Sequence, residues 1–275
     1  MIGYMIEQEF RNIVKGKEIV TIVTQIRVDA EDPAFLRPTK PIGRRYSKQE
    51  KDTIKNDWCW AIDEAIVQGQ KEEMFRRIVA SPEPQEILEI SAIKKLIESD
   101  TVVITCGGGG IPVIKNKDGS VHGVEAVIDK DKAGALLATS LNADALIMLT
   151  DVEYVYLDWK DVQKRRALKT ITPEEISLHS FAEGSMGPKV FAAAEFVRKG
   201  GRWAAIGSLE KLTEIMDGTS GTRVIESESR RNAIYTPYDV SSLPSTWSLP
   251  IFIFFFFFSI DSNFPLTKAS KMGSK

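Results

Sequence analysis

The sequence predicts an α/β protein, a three-layer αβα sandwich around a largely parallel central sheet. Two observations predict it. From residue 81 to 217, segments of helical spacing alternate with short apolar runs, the pattern of a parallel sheet with helices on both faces. The runs "EIVTIVTQI" (18–26) and "DALIMLT" (144–150) read as buried strands, the first rich in β-branched residues.

Taken in order, Met1, Met5 and Ile6 recur at helical spacing and make 1–12 a helix with no capping residue before it. The strand 18–26 follows. Pro33, Pro38 and Pro41 make "DPAFLRPTKPIGRRYS" (32–47) an irregular loop. Residues 48–80 are charged and helical in part, with Trp58 and Trp60 forming a small local core. "SPEPQEILEISAIKKLIESD" (81–100) reads as a helix capped by Ser81 with Pro82 at its first position. "TVVITCGGGG" (101–110) is a strand running into glycines, and 111–128 is a hairpin turned at Asp118-Gly119. Helices follow at 131–143, at 172–180 behind Thr172, and at 187–201, opened by Pro188 and closed by Gly200-Gly201. "RWAAIGS" is a strand and "SLEKLTEIMDG" a helix. After "GTSGTRV" the periodicity stops, and 225–275 reads as a disordered tail. Its apolar run 251–260 is well short of the roughly 20 residues of a membrane-spanning helix.

At 275 residues the chain is long enough for two lobes around a shared sheet. Its 36 basic and 38 acidic residues nearly cancel, which argues against nucleic acid or an anionic membrane as a partner. Cys59 and Cys106 form no disulfide framework and no zinc-ligand spacing, and His122 and His179 are isolated, so no metal ligand is assigned. The first residues carry no secretory signal, and a cytoplasmic location is expected.

Lys130 lies between Asp129 and Asp131 where a helix begins. The two acids suit that place as cap and first-turn residue, whereas a lysine opposes the helix dipole. Lys189, beside Pro188, stands at another helix start, and Lys40 sits in the proline-braced "PTKPIG". One such lysine is a solvated side chain. Three in stiff or helix-opening contexts suggest a shared anionic ligand, such as a phosphoryl group in transfer. The glycines of "CGGGGIP" let backbone amides approach an anion, although they match neither the P-loop nor the dinucleotide pattern. Thr150 and Asp151 stand at the carboxyl end of a strand, where open α/β sheets bind ligands. Tyr154 and Tyr156 either flank a flat base or are partly buried edge aromatics.

"KPIG", "SPEP", "CGGGGIPVI", "GVEAVIDKD", "LTDVEYVYL", "GSMGPKV" and "GTSGTRV", in that order, resemble the carbamate kinase branch of the amino acid kinase family. The resemblance covers roughly residues 1–224. It implies phosphoryl transfer between carbamoyl phosphate and ADP, giving ATP and carbamate, with Mg2+ accompanying ATP or ADP, in a homodimer. By the same resemblance Lys130, Lys189 and Lys40 reach the transferring phosphoryl group and Asp129 organises the lysines. Thr150, Asp151, Tyr156 and Met186 line the nucleotide pocket, and Gly107, Gly108 and Gly109 receive the substrate.

The family begins with a strand and a Gly-Gly-Asn loop that this sequence lacks, so the first lobe is expected to be incomplete and the chain poorly stable or inactive. The expected organisation is a carbamoyl-phosphate-binding lobe over 1–126 with a protruding subdomain at about 27–80, a nucleotide-binding lobe over 127–224, and the tail. The alternative is a non-catalytic nucleotide-binding remnant.

Overall fold

The structure, a computed structural model, describes residues 2–50, 52–53, 62–65, 74–159, 161, 163–181, 186–227 and 252–256. The chain divides into two compact units. The described residues of 2–40 and of 79–256 form one, and the described residues of 41–78 belong to the other.

Helix α1 (Ile2–Ile13) leads into β1 (Ile19–Thr21) and β2 (Gln25–Arg27). The single strand expected over 18–26 is broken because its halves have different partners. The break falls at Thr24, whose hydroxyl lies 2.6 Å from that of Thr105 and accepts from the Cys106 amide at 3.0 Å. Strand β3 (Lys40–Tyr46) replaces the second part of the expected loop, and it forms a three-stranded sheet with β4 (Ile62–Ala65) and β5 (Met74–Val79). Among the described residues of 48–80, 48–50 and 52–53 are helical, in line with the partly helical expectation, while β4 and β5 are strands that the sequence did not predict. Trp58 and Trp60 lie outside the described residues.

The helix expected from Ser81 starts nine residues later. β6 (Glu86–Ile87) pairs antiparallel with β2, and α2 spans Ile90–Glu98. Pro82 and Pro84 bring no amide to a helical ladder. The amides of Gln85 and Leu88 bond instead to the carbonyls of Arg27 and Gln25, at 2.9 and 3.0 Å. Strand β7 (Val102–Ile104) pairs parallel with β1. β8 (Ile111–Lys115) pairs parallel with β2 and forms the expected hairpin with β9 (Val121–Gly123).

Helix α3 (Lys130–Ser140) leads to the fully buried β10 (Ala145–Thr150). A small antiparallel ribbon of β11 (Val155–Leu157) and β12 (Arg166–Leu168) follows. Then come β13 (Thr170–Ile171), α4 (Pro173–Ser177), α5 (Met186–Arg198), β14 (Trp203–Ser208), α6 (Leu212–Met216) and β15 (Thr222–Val224). Thr172 and Glu175 close a reciprocal capping box at α4, as the sequence predicts for Thr172.

The central sheet has the order β13-β15-β14-β10-β16, where β16 is Phe252–Phe256. All its pairs are parallel except β14 with β15. Alternate residues of β10 enter different cores. Leu146 and Met148 join the core shared with α3 and α5, while Ala145, Ile147 and Leu149 pack with Ile215, Leu212 and Met216 of α6. Both faces of the sheet are thus covered, which is the expected sandwich. Strand β16 differs from the expected disordered tail: its backbone pairs with Ala145–Leu149. The other residues of 228–275 lie outside the described residues. Among the described residues no helix is long and apolar enough to cross a membrane.

Candidate active site

The site is built where α3 and α5 begin. Both helices are rich in buried small residues: Ala133, Gly134, Ala135 and Ala138 on α3, and Gly187, Ala192, Ala193 and Ala194 on α5. Small side chains let two helices approach closely. That approach brings acids at the start of α3 to a lysine in the first turn of α5.

Lys189 is 2% exposed, and its Nζ donates to Asp131 Oδ2 at 3.0 Å. From the other side Lys40, at the start of β3, donates through Nζ to Asp129 Oδ2 at 2.5 Å. Asp129 also caps α3: its Oδ1 accepts from the amides of Asp131 at 2.9 Å and Lys132 at 3.4 Å. Lys130, half-buried, stands between the two acids. The three lysines singled out in the sequence therefore meet in one place, with each acid beside Lys130 engaging a different lysine.

The electrostatics follow from this geometry. Burial raises the Asp129 carboxyl, but the Lys40 ammonium and the two helix amides outweigh it and hold Asp129 below the usual aspartate range. Burial pushes Asp131 up despite Lys189. Lys130 is held below the ordinary lysine value, first by burial, while its flanking carboxylates and the like charges of Lys189 and Lys40 pull in opposite directions.

The glycine turn abuts the same helix start. Gly107–Gly109 form a 3-10 turn directly after β7 and Cys106. A Cβ on Gly109, at φ +105°, would lie 2.3 Å from the Ile128 carbonyl oxygen, so only glycine lets this turn pass against the backbone entering Asp129. A side chain on Gly107 or Gly108 would meet nothing within 4 Å. The turn is therefore packed on α3 at one end and open at the other. Cys106 beside it is buried, which pushes its thiol to about 11 and makes it a poor nucleophile.

The residues expected to hold a nucleotide stand on three supports. Thr150 ends β10 and donates to Asp151 Oδ1 at 3.0 Å. Met186 opens α5, one turn before Lys189, and packs against the main core. Tyr156 lies on β11, its ring edge-on to Tyr154 at 6.4 Å and tilted against Trp159 at 5.3 Å. The Arg165 guanidinium lies 5.7 Å from both the Tyr156 and the Trp159 ring centres. The amide of Val155, the first residue of β11, donates to the Thr222 hydroxyl at 2.8 Å, which ties this ribbon to β15.

Sequence reasoning missed Asp131 as a partner of Lys189, because a first-turn acid is already accounted for by the helix dipole. The D-K-D triplet was its only available signal. Trp159 and Arg165 were missed because their contact with Tyr156 depends on the fold of the ribbon.

The amino acid kinase family pattern matches residues 46–208. A carbamate kinase of Haemophilus influenzae is 44% identical over 225 residues, covering 82% of this chain and 70% of that protein. A carbamate kinase of Pyrococcus horikoshii is 43% identical over 231 residues, covering 81% and 71%. Among solved structures, the carbamate kinase from Giardia lamblia bound to citric acid superposes with a TM-score of 0.73 at 40% identity, covering 82% of this chain and 71% of that one. The same Giardia enzyme bound to AMP-PNP gives a TM-score of 0.71.

Proposed function

The chain belongs to the amino acid kinase family, in its carbamate kinase branch, and from that premise we propose that Lys40, Lys130 and Lys189 carry phosphoryl transfer between carbamoyl phosphate and ADP. The observation that supports this reading is the convergence of the three lysines on the start of α3, with Asp129 bonded to Lys40 and Asp131 to Lys189.

A phosphoryl group in flight carries negative charge on its equatorial oxygens, and catalysis is mainly positioning and neutralisation. The buried Asp131–Lys189 pair fixes one ammonium without side-chain search. Lys40 brings a second from a distant part of the chain. Lys130 supplies a third at a helix start, where the helix dipole is positive. Gly107 and Gly108, open above the turn, receive carbamoyl phosphate. Thr150, Asp151, Tyr156 and Met186 hold the nucleotide. Mg2+ would enter with the nucleotide substrate and would offset part of its phosphate charge. The active form is a cytoplasmic homodimer, with one lobe over 1–126, carrying a subdomain at about 27–80, and the other over 127–224.

The test is ATP formation from carbamoyl phosphate and ADP by the 275-residue chain. Lys130→Ala and Lys189→Ala should each lower kcat by at least about 100-fold, with a far smaller change in KM. Unchanged turnover in both would remove them from the site. Nucleotide binding without any turnover in the unsubstituted chain would favour a non-catalytic binding protein.

A further inference from the structure

We propose that Lys130 is a carbamoylation site, at which the enzyme is inactivated by isocyanic acid released from its own substrate. The inference rests on the kinase reading for the source of the reagent, and on the site's geometry for the choice of residue.

Carbamoyl phosphate is chemically unstable. Loss of a proton from its nitrogen and cleavage of its carbon–oxygen bond release isocyanic acid, HN=C=O, and hydrogen phosphate. An unprotonated amine adds to the isocyanate carbon through its lone pair. The amine's proton moves to the isocyanate nitrogen, and a neutral urea is left on the side chain. No oxidant, reductant or further leaving group is needed. The reaction selects amines that are both reachable and deprotonated. A lysine reaches that state when it is desolvated or set beside other cations.

Lys130 meets these conditions through its surroundings. It is half-buried, at the positive end of α3. The charged groups that face it are Asp129 and Asp131 from the same helix start, Lys40 from β3 and Lys189 from α5. Asp129 and Asp131 also serve Lys40 and Lys189, at 2.5 and 3.0 Å, so the favourable field of each acid is shared with a competing ammonium. The resulting balance leaves Lys130 below the ordinary lysine value, with burial the largest cause. Lys189 is 2% exposed and donates to Asp131 Oδ2 at 3.0 Å, so it presents less surface to the reagent than the half-buried Lys130 does. The space over Gly107 and Gly108 is open to a small neutral molecule.

Carbamoylation converts the ammonium into a neutral group, and a site that works by neutralising phosphate charge loses one of its three cations. Bound nucleotide phosphate would oppose the reaction by favouring the protonated amine and by covering it.

The test exposes the full chain to potassium cyanate and follows the mass gain of one carbamoyl group on each lysine-containing peptide over time. Lys164 and Lys199 are the references, since both side chains are more than half exposed. Lys130 should be modified several-fold faster than either, activity should fall at the rate of Lys130 labelling, and Mg-ATP should slow labelling at Lys130 alone. With carbamoyl phosphate in place of cyanate, the same residue should be labelled first. Labelling of Lys130 no faster than Lys164 and Lys199, or first labelling elsewhere by carbamoyl phosphate, overturns the proposal. Fast cyanate labelling of Lys130 in a chain that neither turns over nor responds to Mg-ATP supports the reactive lysine and overturns the kinase reading instead.

Discussion

Asp131 and Lys189 form an ion pair almost entirely out of water, with side chains 6% and 2% exposed. Such a pair carries a large desolvation cost that its mutual attraction offsets only while both partners are present. Asp131→Ala should therefore lower stability by about 3–5 kcal/mol in urea denaturation. Replacing both partners together, Asp131→Leu with Lys189→Met, should recover most of that loss without restoring turnover. A double variant as unstable as the single one would mean that the pair's geometry, not its charge, holds the helix starts together. Asp129 behaves differently on acidification. Its folded carboxyl lies below the ordinary 3.8, so its stabilising contribution is complete above 3.8 and fades as pH falls through the lower folded value. Asp131, raised by burial, has the opposite sign: its ionised form is penalised in the folded chain, and acid relieves that penalty. Asp129→Asn keeps a side-chain oxygen for the cap but abolishes the titration. Its stability should fall less steeply than that of the unsubstituted chain between neutral pH and below 3.8. Parallel curves would show that Asp129 is not held by Lys40 in solution.

At the scale of elements, the site depends on how closely the glycine turn and α5 approach α3. Gly109 is the tightest point, because it needs both a positive φ and a bare Cα against the Ile128 carbonyl. Gly109→Ala should cost about 1–3 kcal/mol and should also reduce kcat, because relief of the clash must shift the backbone that carries Asp129 and Lys130. Gly108→Ala strains φ in the same way but meets no neighbour, so its effect on kcat should be the smaller. Equal losses in kcat from the two variants would remove the link between the turn and the helix start. The helices and strands with strong local signals were legible in the sequence: the Thr172 cap, the Asp118-Gly119 hairpin, and the strands 144–150 and 203–208. The segment 81–89 was not, because Ser81-Pro82 has the local form of a helix start while its neighbours' amides are claimed by β2, a partner more than fifty residues away.

For the whole molecule, β10 is the organising strand, flanked by β14 on one side and by β16 on the other. Deleting 252–256 would leave one edge of β10 unpaired. Hydrogen exchange in peptides covering 145–149 should then rise, with a smaller rise at 203–208, which keeps its own pairs with β10 and β15. No change at 145–149 would mean that β16 does not occupy that edge in solution. The sequence alone determined the α/β class, the order of most elements and the identity of the three lysines, because periodicity, capping and turn chemistry act over a few residues. Only the tertiary structure decided that each acid of the D-K-D triplet engages a different lysine, that Asp131 is the buried partner of Lys189, and that an apolar run in the tail extends the central sheet. Those outcomes depend on pairing between residues 58, 89 and over 100 positions apart, and electrostatic and backbone pairing at such separations leave no local pattern in a chain.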